Sequence, residues 1–383
     1  MKELIAKKYQ SINKPMGNMN NRSTNSLPLI NLGIGDLDVT TDRIVIEKAM
    51  NDAKDGFTHY TDPYGIKELR EAIANYHKEN FKNYDFDYNS VLVTTSASHA
   101  LYITLKSILN PEDEVILLAP FFPVYKSQIN HSNGVAVVVE TKLENNFQLV
   151  KEDIESKISP KTKAIIINSP CNPTGVCYSK ESLEIVRDLA KKYDLLVIAD
   201  DVYDFFSYES EFIPPITIDG MKERCISICS FSKNFAMTGW RIGYAISGLP
   251  KLIDTMEFIN ESIIYSPPAP SQRAAFHALS DFERIKKNNV PIYSERIDYV
   301  YKRACNIPSF KCIKSQGGIY IFIDVSETGM NGKEFSDKLL SESNVLVIDG
   351  TPFGTPNFIR IACSVPMDKL KEAFDRMEDF LKK

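Results

Sequence analysis

Six short apolar runs between residues 114 and 246 constrain this 383-residue chain more than any other feature. They are Glu114–Leu118, Val135–Glu140, Ala164–Asn168, Leu195–Ala199, Ile226–Ser230 and Ile242–Ile246. None alternates cleanly between apolar and polar residues. Each therefore reads as a strand covered on both faces, not as one with a face in water. The longer gaps have room for helices, and Lys180–Tyr193 carries the spacing of one. Helical patterns also cover Asp42–Lys54, Ile66–Glu79 and about 97–109, around a further strand at Val91–Thr95. Alternating strands and helices imply an α/β domain, a mostly parallel sheet sandwiched by helices.

The pattern changes after about residue 285. A helix at Val290–Cys305 precedes strands at Gly318–Val325, Val345–Ile348 and Asn357–Ala362, and a last helix spans Asp368–Lys382. This reads as a smaller α+β domain. Residues 13–28, rich in Asn, Ser and Pro, read as a loop joining a short first helix to the body.

Several function classes fall away. The net charge is −5 and no Lys/Arg run exceeds two residues, so no nucleic-acid partner is expected. The five histidines are scattered and no H-E-x-x-H occurs, so no metal site is expected. Seven irregularly spaced cysteines without a C-x-x-C pair fit a reduced, cytoplasmic protein. The charged N-terminus lacks the apolar core of a secretory signal. The clearly apolar runs are about five residues, where a membrane helix needs roughly 20.

Ligands of open α/β sheets sit at the carboxyl ends of the strands. The residues just past each run are therefore informative. Val91–Thr95 leads into Ser96-Ala97-Ser98 at a helix start, whose free backbone N–H groups suit a phosphate. Glu114–Leu118 leads to Phe122, a flat face on which a ring can stack. Ala164–Asn168 leads to Asn172-Pro173-Thr174-Gly175. Leu195–Ala199 leads to Asp200 and Tyr203. Ile226–Ser230 leads to Ser232 and Lys233, with Arg241 eight positions on. Together they suit a charged, aromatic, phosphorylated ligand, and pyridoxal phosphate uses every one. Arg241 would clamp the phosphate. Asp200 would keep the pyridine nitrogen protonated, and Lys233 would form the Schiff base. Asn172 and Tyr203 would hydrogen-bond the ring oxygen and lower the basicity of the imine.

Residues 230–244, Ser-Phe-Ser-Lys-Asn-Phe-Ala-Met-Thr-Gly-Trp-Arg-Ile-Gly-Tyr, resemble the lysine segment of class I/II aminotransferases, the aspartate aminotransferase superfamily. Residues 60–70 (Tyr-Thr-Asp-Pro-Tyr-Gly-Ile-Lys-Glu-Leu-Arg), Asn172–Gly175, Asp200–Tyr203 and Phe358–Ile361 match the same family in the same order. The resemblance runs from about 28 to 380. It implies fold type I, with a large pyridoxal phosphate domain over 45–285 and a discontinuous small domain from 1–44 plus 286–383. It also implies roles. Lys233 is the catalytic lysine, Asp200 pairs with the pyridine nitrogen, and Tyr203 and Asn172 hold the ring oxygen. Ala97, Ser98, Ser230, Ser232 and Arg241 surround the phosphate. Phe122 stacks where many relatives have Trp or Tyr. Arg360 grips the substrate α-carboxylate, and Gly35 lets the backbone approach it. Tyr60 reaches the neighbouring subunit's phosphate, so a homodimer is expected. Ser96-Ala97-Ser98 departs from the usual Gly-Gly-Ser-like triplet. Which side chain of Asp36-Leu37-Asp38 faces inward is left open.

The implied reaction moves an amino group from an L-amino acid to a 2-oxo acid. A carbon–sulfur β-lyase of the same fold shares nearly all these residues and is the alternative, because side chains near the substrate choose the bond broken. A cofactor-binding regulator is a weaker rival, since the roughly 28 residues before the body are too few for a winged helix. The substrate side chain is open. Lys106, eight positions after Ser98, would favour an acidic one if it faced the pocket. The aromatics Phe121, Tyr125, Tyr320 and Phe353 would favour an aromatic or broadly apolar one.

Overall fold

The computed structural model describes residues 4, 6, 27–209 and 211–382. The expected first helix and most of the 13–28 loop lie outside the described residues. Among those described, the strands in chain order are β1 (Ile30–Asn31), β2 (Val91–Thr94), β3 (Glu114–Ala119), β4 (Val135–Glu140), β5 (Thr162–Asn168), β6 (Leu196–Asp200), β7 (Cys225–Ser230), β8 (Gly243–Ser247), β9 (Tyr320–Asp324), β10 (Val345–Leu346), β11 (Ile348–Asp349) and β12 (Phe358–Ala362).

Seven strands form the central sheet in the order β2-β8-β7-β6-β5-β3-β4. The five from β7 to β4 are parallel, while β8 runs antiparallel to both β7 and β2. Successive side chains of a strand face opposite ways. Val197 and Ala199 of β6 thus join one apolar cluster, with Ile165 and Ile167 of β5. Ile198 joins a second on the other face, with Ile166, Ile226 and Met256. Both faces being apolar is the physical reason the runs do not alternate.

Helix boundaries reflect local chemistry. Asp42 caps Arg43–Lys54 by accepting from the Ile44 N–H at 2.9 Å. Ser179 caps Lys180–Tyr193, which ends at Asp194 with φ +53°. The helix expected at Val290–Cys305 begins at Phe282 and continues through Pro291. Val345–Ile348 is divided between sheets. Residues 345–346 pair parallel with β1, and 348–349 pair antiparallel with β12.

The β11-β12-β9 sheet is antiparallel. Ile359 and Ile361 of β12 pack into a cluster with Ile30, Leu32, Phe335 and Phe374. Alternation puts Arg360 on the opposite face, toward the central sheet. Chain segments from both ends of the sequence thus meet beside the carboxyl ends of the parallel strands.

Candidate active site

The strand order sorts the rim chemically. From β2 to β3 it carries Ser96, the start of β8 at Gly243, then Ser230, Asp200 and Asn168, and Phe122 just beyond β3. Strands lie about 4.8 Å apart, so Ser96 and Asp200 bracket roughly 14 Å of rim before their side chains are counted. A cavity of about 360 Å³ opens there. Gly35, Ala97, Ser98, Phe122, Asn172, Asp200, Tyr203, Ser230, Ser232, Lys233 and Arg241 all line it.

Asp200 is buried and accepts a 2.5 Å hydrogen bond from the Tyr125 hydroxyl. Burial raises its pKa from 3.8 to about 6, because nothing beside it compensates fully for lost hydration. A cation placed here would hold it ionised. Asn168 donates to the Asp200 carbonyl at 2.8 Å and accepts from the Asn172 N–H at 2.7 Å, tying the carboxylate's strand to the Asn172 loop.

Lys233 sits on the short helix Phe231–Asn234, where Ser230 accepts from the Ser232 N–H at 3.0 Å. Its Nζ donates to the Gly35 carbonyl. Asn234, next in sequence, donates to the buried Asp204. At the other end of the rim, Ser96 caps Ala97–Ile108 by accepting from the His99 N–H at 3.1 Å. Ser96, Ala97 and Ser98 at the start of that helix line the cavity, and the first N–H groups of a helix suit an anion. Arg241 stands beside them with φ +54°, its Nη1 donating to the Thr238 carbonyl at 2.7 Å. Gly243 permits the closeness: a Cβ there would lie 2.6 Å from Ala97 N.

Two expected residues lie off the cavity wall. Arg360 is fully buried behind Asn172, donating to Asn172 Oδ1 at 2.9 Å and to the Gly33 carbonyl at 2.6 Å. Its guanidinium lies between Tyr320 (4.4 Å) and Phe353 (5.1 Å), and its Nε has no partner. Tyr60 is 85% exposed and packs edge-on against Tyr265 at 5.0 Å. Lys106 lies exposed in the last turn of its helix, away from the cavity. Within the 36–38 segment, Asp36 lines the cavity, whereas Asp38 accepts from Arg296 at 2.7 and 2.9 Å and from Tyr293 at 3.0 Å.

Asn168, Tyr125 and Tyr320 carry site contacts to which the sequence alone assigns no role. Asn168 is the last residue of β5. Tyr125 is the second residue of the Val124–His131 helix, and its N–H donates to the Phe122 carbonyl at 3.1 Å. Tyr320 opens β9, where no local pattern marks it.

The family model for aminotransferase class I and II matches residues 28–377. The chain belongs to the class I and II aminotransferases. An aspartate aminotransferase of Bacillus sp. (strain YM-2) is 32% identical over 394 residues, covering 100% of both chains. An asparagine–oxo-acid transaminase of Streptococcus mutans is 34% identical over 93% of this chain and 92% of the relative. The solved structure of an aromatic aminotransferase from Pyrococcus horikoshii superposes with a TM-score of 0.90 at 34% identity, covering 92% of this chain and 96% of that one. The enzyme is a transaminase dependent on pyridoxal 5'-phosphate, with an amino acid and a 2-oxo acid as substrates. The rim fits that group. It offers a buried carboxylate for the pyridine nitrogen, an amine within the cavity, and a helix start with Arg241 for the phosphate. Among the described residues, no helix is long and apolar enough to cross a membrane, and no cluster of three or more His, Cys, Asp or Glu is placed to hold a metal.

Proposed function

We propose that Lys233 is the residue through which this transaminase works. The observation that carries the reading is its amine, in the same cavity as Asp200, Tyr203, Asn172 and Arg241. When bound, pyridoxal phosphate supplies an electrophilic carbon and a protonated ring that draws off electrons as the substrate Cα–H bond breaks. The Lys233 Nζ takes the α-proton and returns it one position over. Asp200 holds the pyridinium proton in place. Tyr203 and Asn172 hydrogen-bond the ring oxygen, and Phe122 covers a face of the ring. Ala97, Ser98, Ser230, Ser232 and Arg241 hold the phosphate. Arg360 turns its guanidinium from Gly33 to the substrate α-carboxylate beside Gly35, whose missing side chain makes room for Tyr320.

A division into a large part over 45–285 and a small part from 1–44 plus 286–383 suits this chemistry, because Arg360 and Gly35 belong to the small part and Lys233 to the large one. The separate apolar cluster around Ile359 and Phe374 supports that division. A homodimer gives Tyr60 its role: exposed on its own chain, it reaches the phosphate of the neighbouring site. All seven cysteines are unpaired, in keeping with a cytoplasmic enzyme. Lys106 lies exposed and away from the cavity, so it gives no support for an acidic amino donor.

The test is Lys233→Ala. It abolishes turnover and the visible absorbance that depends on the lysine. A variant that keeps full activity overturns the reading. Amino donors compared by half-reaction rate then assign the side chain.

A further inference from the structure

Tyr320 touches three parts of the site without lining the cavity. It opens β9, where it pairs with Ala362 of β12, and Arg360 pairs with Phe322 two positions on. Tyr320 and Arg360 are therefore diagonal neighbours on one face of the sheet. The ring lies 4.4 Å from the Arg360 guanidinium, close enough for a cation–π contact. The hydroxyl lies 3.0 Å from the Tyr203 hydroxyl, and both residues are buried. The same hydroxyl fills the space beside Gly35, where a Cβ would come within 1.9 Å of it.

Two phenols in contact must divide their protons. Each has one O–H to donate and lone pairs to accept with. If Tyr203 donated to Tyr320, its proton would be turned from the cavity and its oxygen would meet the cofactor ring oxygen lone pair to lone pair. If Tyr320 donates, the Tyr203 proton is free for the ring oxygen. A hydroxyl that accepts one hydrogen bond is also a stronger donor in the next. Burial holds the Tyr203 phenol well above its ordinary pKa, so it keeps that proton at neutral pH.

We infer that Tyr320 is a positioning residue that donates to Tyr203 and so directs the Tyr203 proton to the cofactor's ring oxygen. The inference rests on the Tyr203 role proposed above. A ring oxygen with a weaker donor holds its own proton to higher pH. The pH midpoint of the bound cofactor's visible absorbance change therefore reports on Tyr320 directly, apart from turnover.

The experiment compares Tyr320→Phe, Tyr203→Phe and the double variant as holoenzymes. Tyr320→Phe keeps the ring on Arg360, so KM for the amino donor stays within about twofold. The spectral midpoint rises by about 0.1–0.5 unit, because Tyr203 still donates to the ring oxygen and loses only the strengthening that the bond from Tyr320 gave it. Tyr203→Phe raises it further, and the double variant matches Tyr203→Phe, because Tyr320 acts through that hydroxyl. An unmoved midpoint in Tyr320→Phe, with Tyr203→Phe shifted, overturns this inference and leaves the Tyr203 reading standing. Additive shifts also overturn it, since Tyr320 would then act by a separate route. An unmoved midpoint in Tyr203→Phe removes the Tyr203 reading and this inference together.

Discussion

Arg360 Nη1 donates to Asn172 Oδ1 at 2.9 Å, joining residues 188 positions apart. The contact links the proposed carboxylate grip to a side chain on the cofactor cavity. It also fixes what a replacement must do. The planar guanidinium holds Asn172 through Nη1 while Nη2, now on Gly33, is the arm proposed to turn to a carboxylate, and only a fork does both. Arg360→Lys keeps the charge and loses the fork. The expected loss is about 2–3 kcal/mol of substrate binding, or roughly a 30- to 150-fold rise in KM for the amino donor. Steady-state kinetics check it, with kcat changing less than KM. A wild-type KM would remove Arg360 from the substrate site.

Asp200 gives a pH signature in the cofactor-free protein. Its folded pKa of about 6 lies above the ordinary 3.8 because burial disfavours the charge. A folded pKa that is raised binds more protons in the folded state than in the unfolded one. The stabilising effect is present below about pH 4 and is lost as pH rises to about 6. By linkage the loss amounts to about 3 kcal/mol. Asp200→Asn still accepts from Tyr125 and never ionises. It is therefore more stable than the wild type at pH 7, and the difference closes toward pH 4. Thermal midpoints of both cofactor-free proteins across that range test the claim. The same variant loses most of its turnover, because a neutral amide cannot hold a pyridinium proton.

The parts of this site that are legible in the sequence track strand order. Asp200, Ser230, Asn172 and Lys233 each end or succeed an apolar run, and a parallel sheet places such ends on one rim. Arg360 carries no such mark. It lies on an antiparallel strand whose packing against β5 and β6 loops is set by tertiary contacts, so only the family resemblance points to it. Tyr320 is visible as an aromatic near the motifs, but its approach to Tyr203 depends on how the small sheet docks. Pro291 conceals the start of its helix, because proline ordinarily marks a boundary. The Val345–Ile348 run reads as one strand, but the chain crosses between two sheets at Val347.

Gly243 predicts a cofactor defect from a single methyl group. A Cβ there would lie 2.6 Å from Ala97 N, 2.7 Å from Ser96 C and 2.8 Å from Cys229 O, all of them backbone atoms. Backbone cannot swing aside as a flexible side chain does. Gly243→Ala must push the start of the Ala97–Ile108 helix outward, at about 1–3 kcal/mol for overpacking. The displaced N–H groups are those proposed to hold the phosphate. The dissociation constant for pyridoxal phosphate is expected to rise at least about tenfold, in line with the loss of one or two charge-assisted hydrogen bonds. Fluorescence titration of the cofactor-free variant measures it. Unchanged affinity would separate this helix start from the phosphate site.

Tyr60 tests whether the active site is shared between subunits. The residue is 85% exposed and its ring is braced by Tyr265, so it is held outward rather than folded over its own cavity. In the proposed homodimer, that outward placement would let Tyr60 serve the partner's site. Consider a chain with Tyr60→Phe and a second with Lys233→Ala. The first keeps its lysine and gives its partner a defective tyrosine; the second loses its lysine and gives a sound one. In the mixed dimer, the Lys233 of the first chain meets the Tyr60 of the second, and one complete site is rebuilt. Co-expressed chains carrying different affinity tags isolate the hybrid. Its activity should reach about half that of the wild type, above either homodimer. Activity equal to the average of the two homodimers would mean that Tyr60 acts within its own chain.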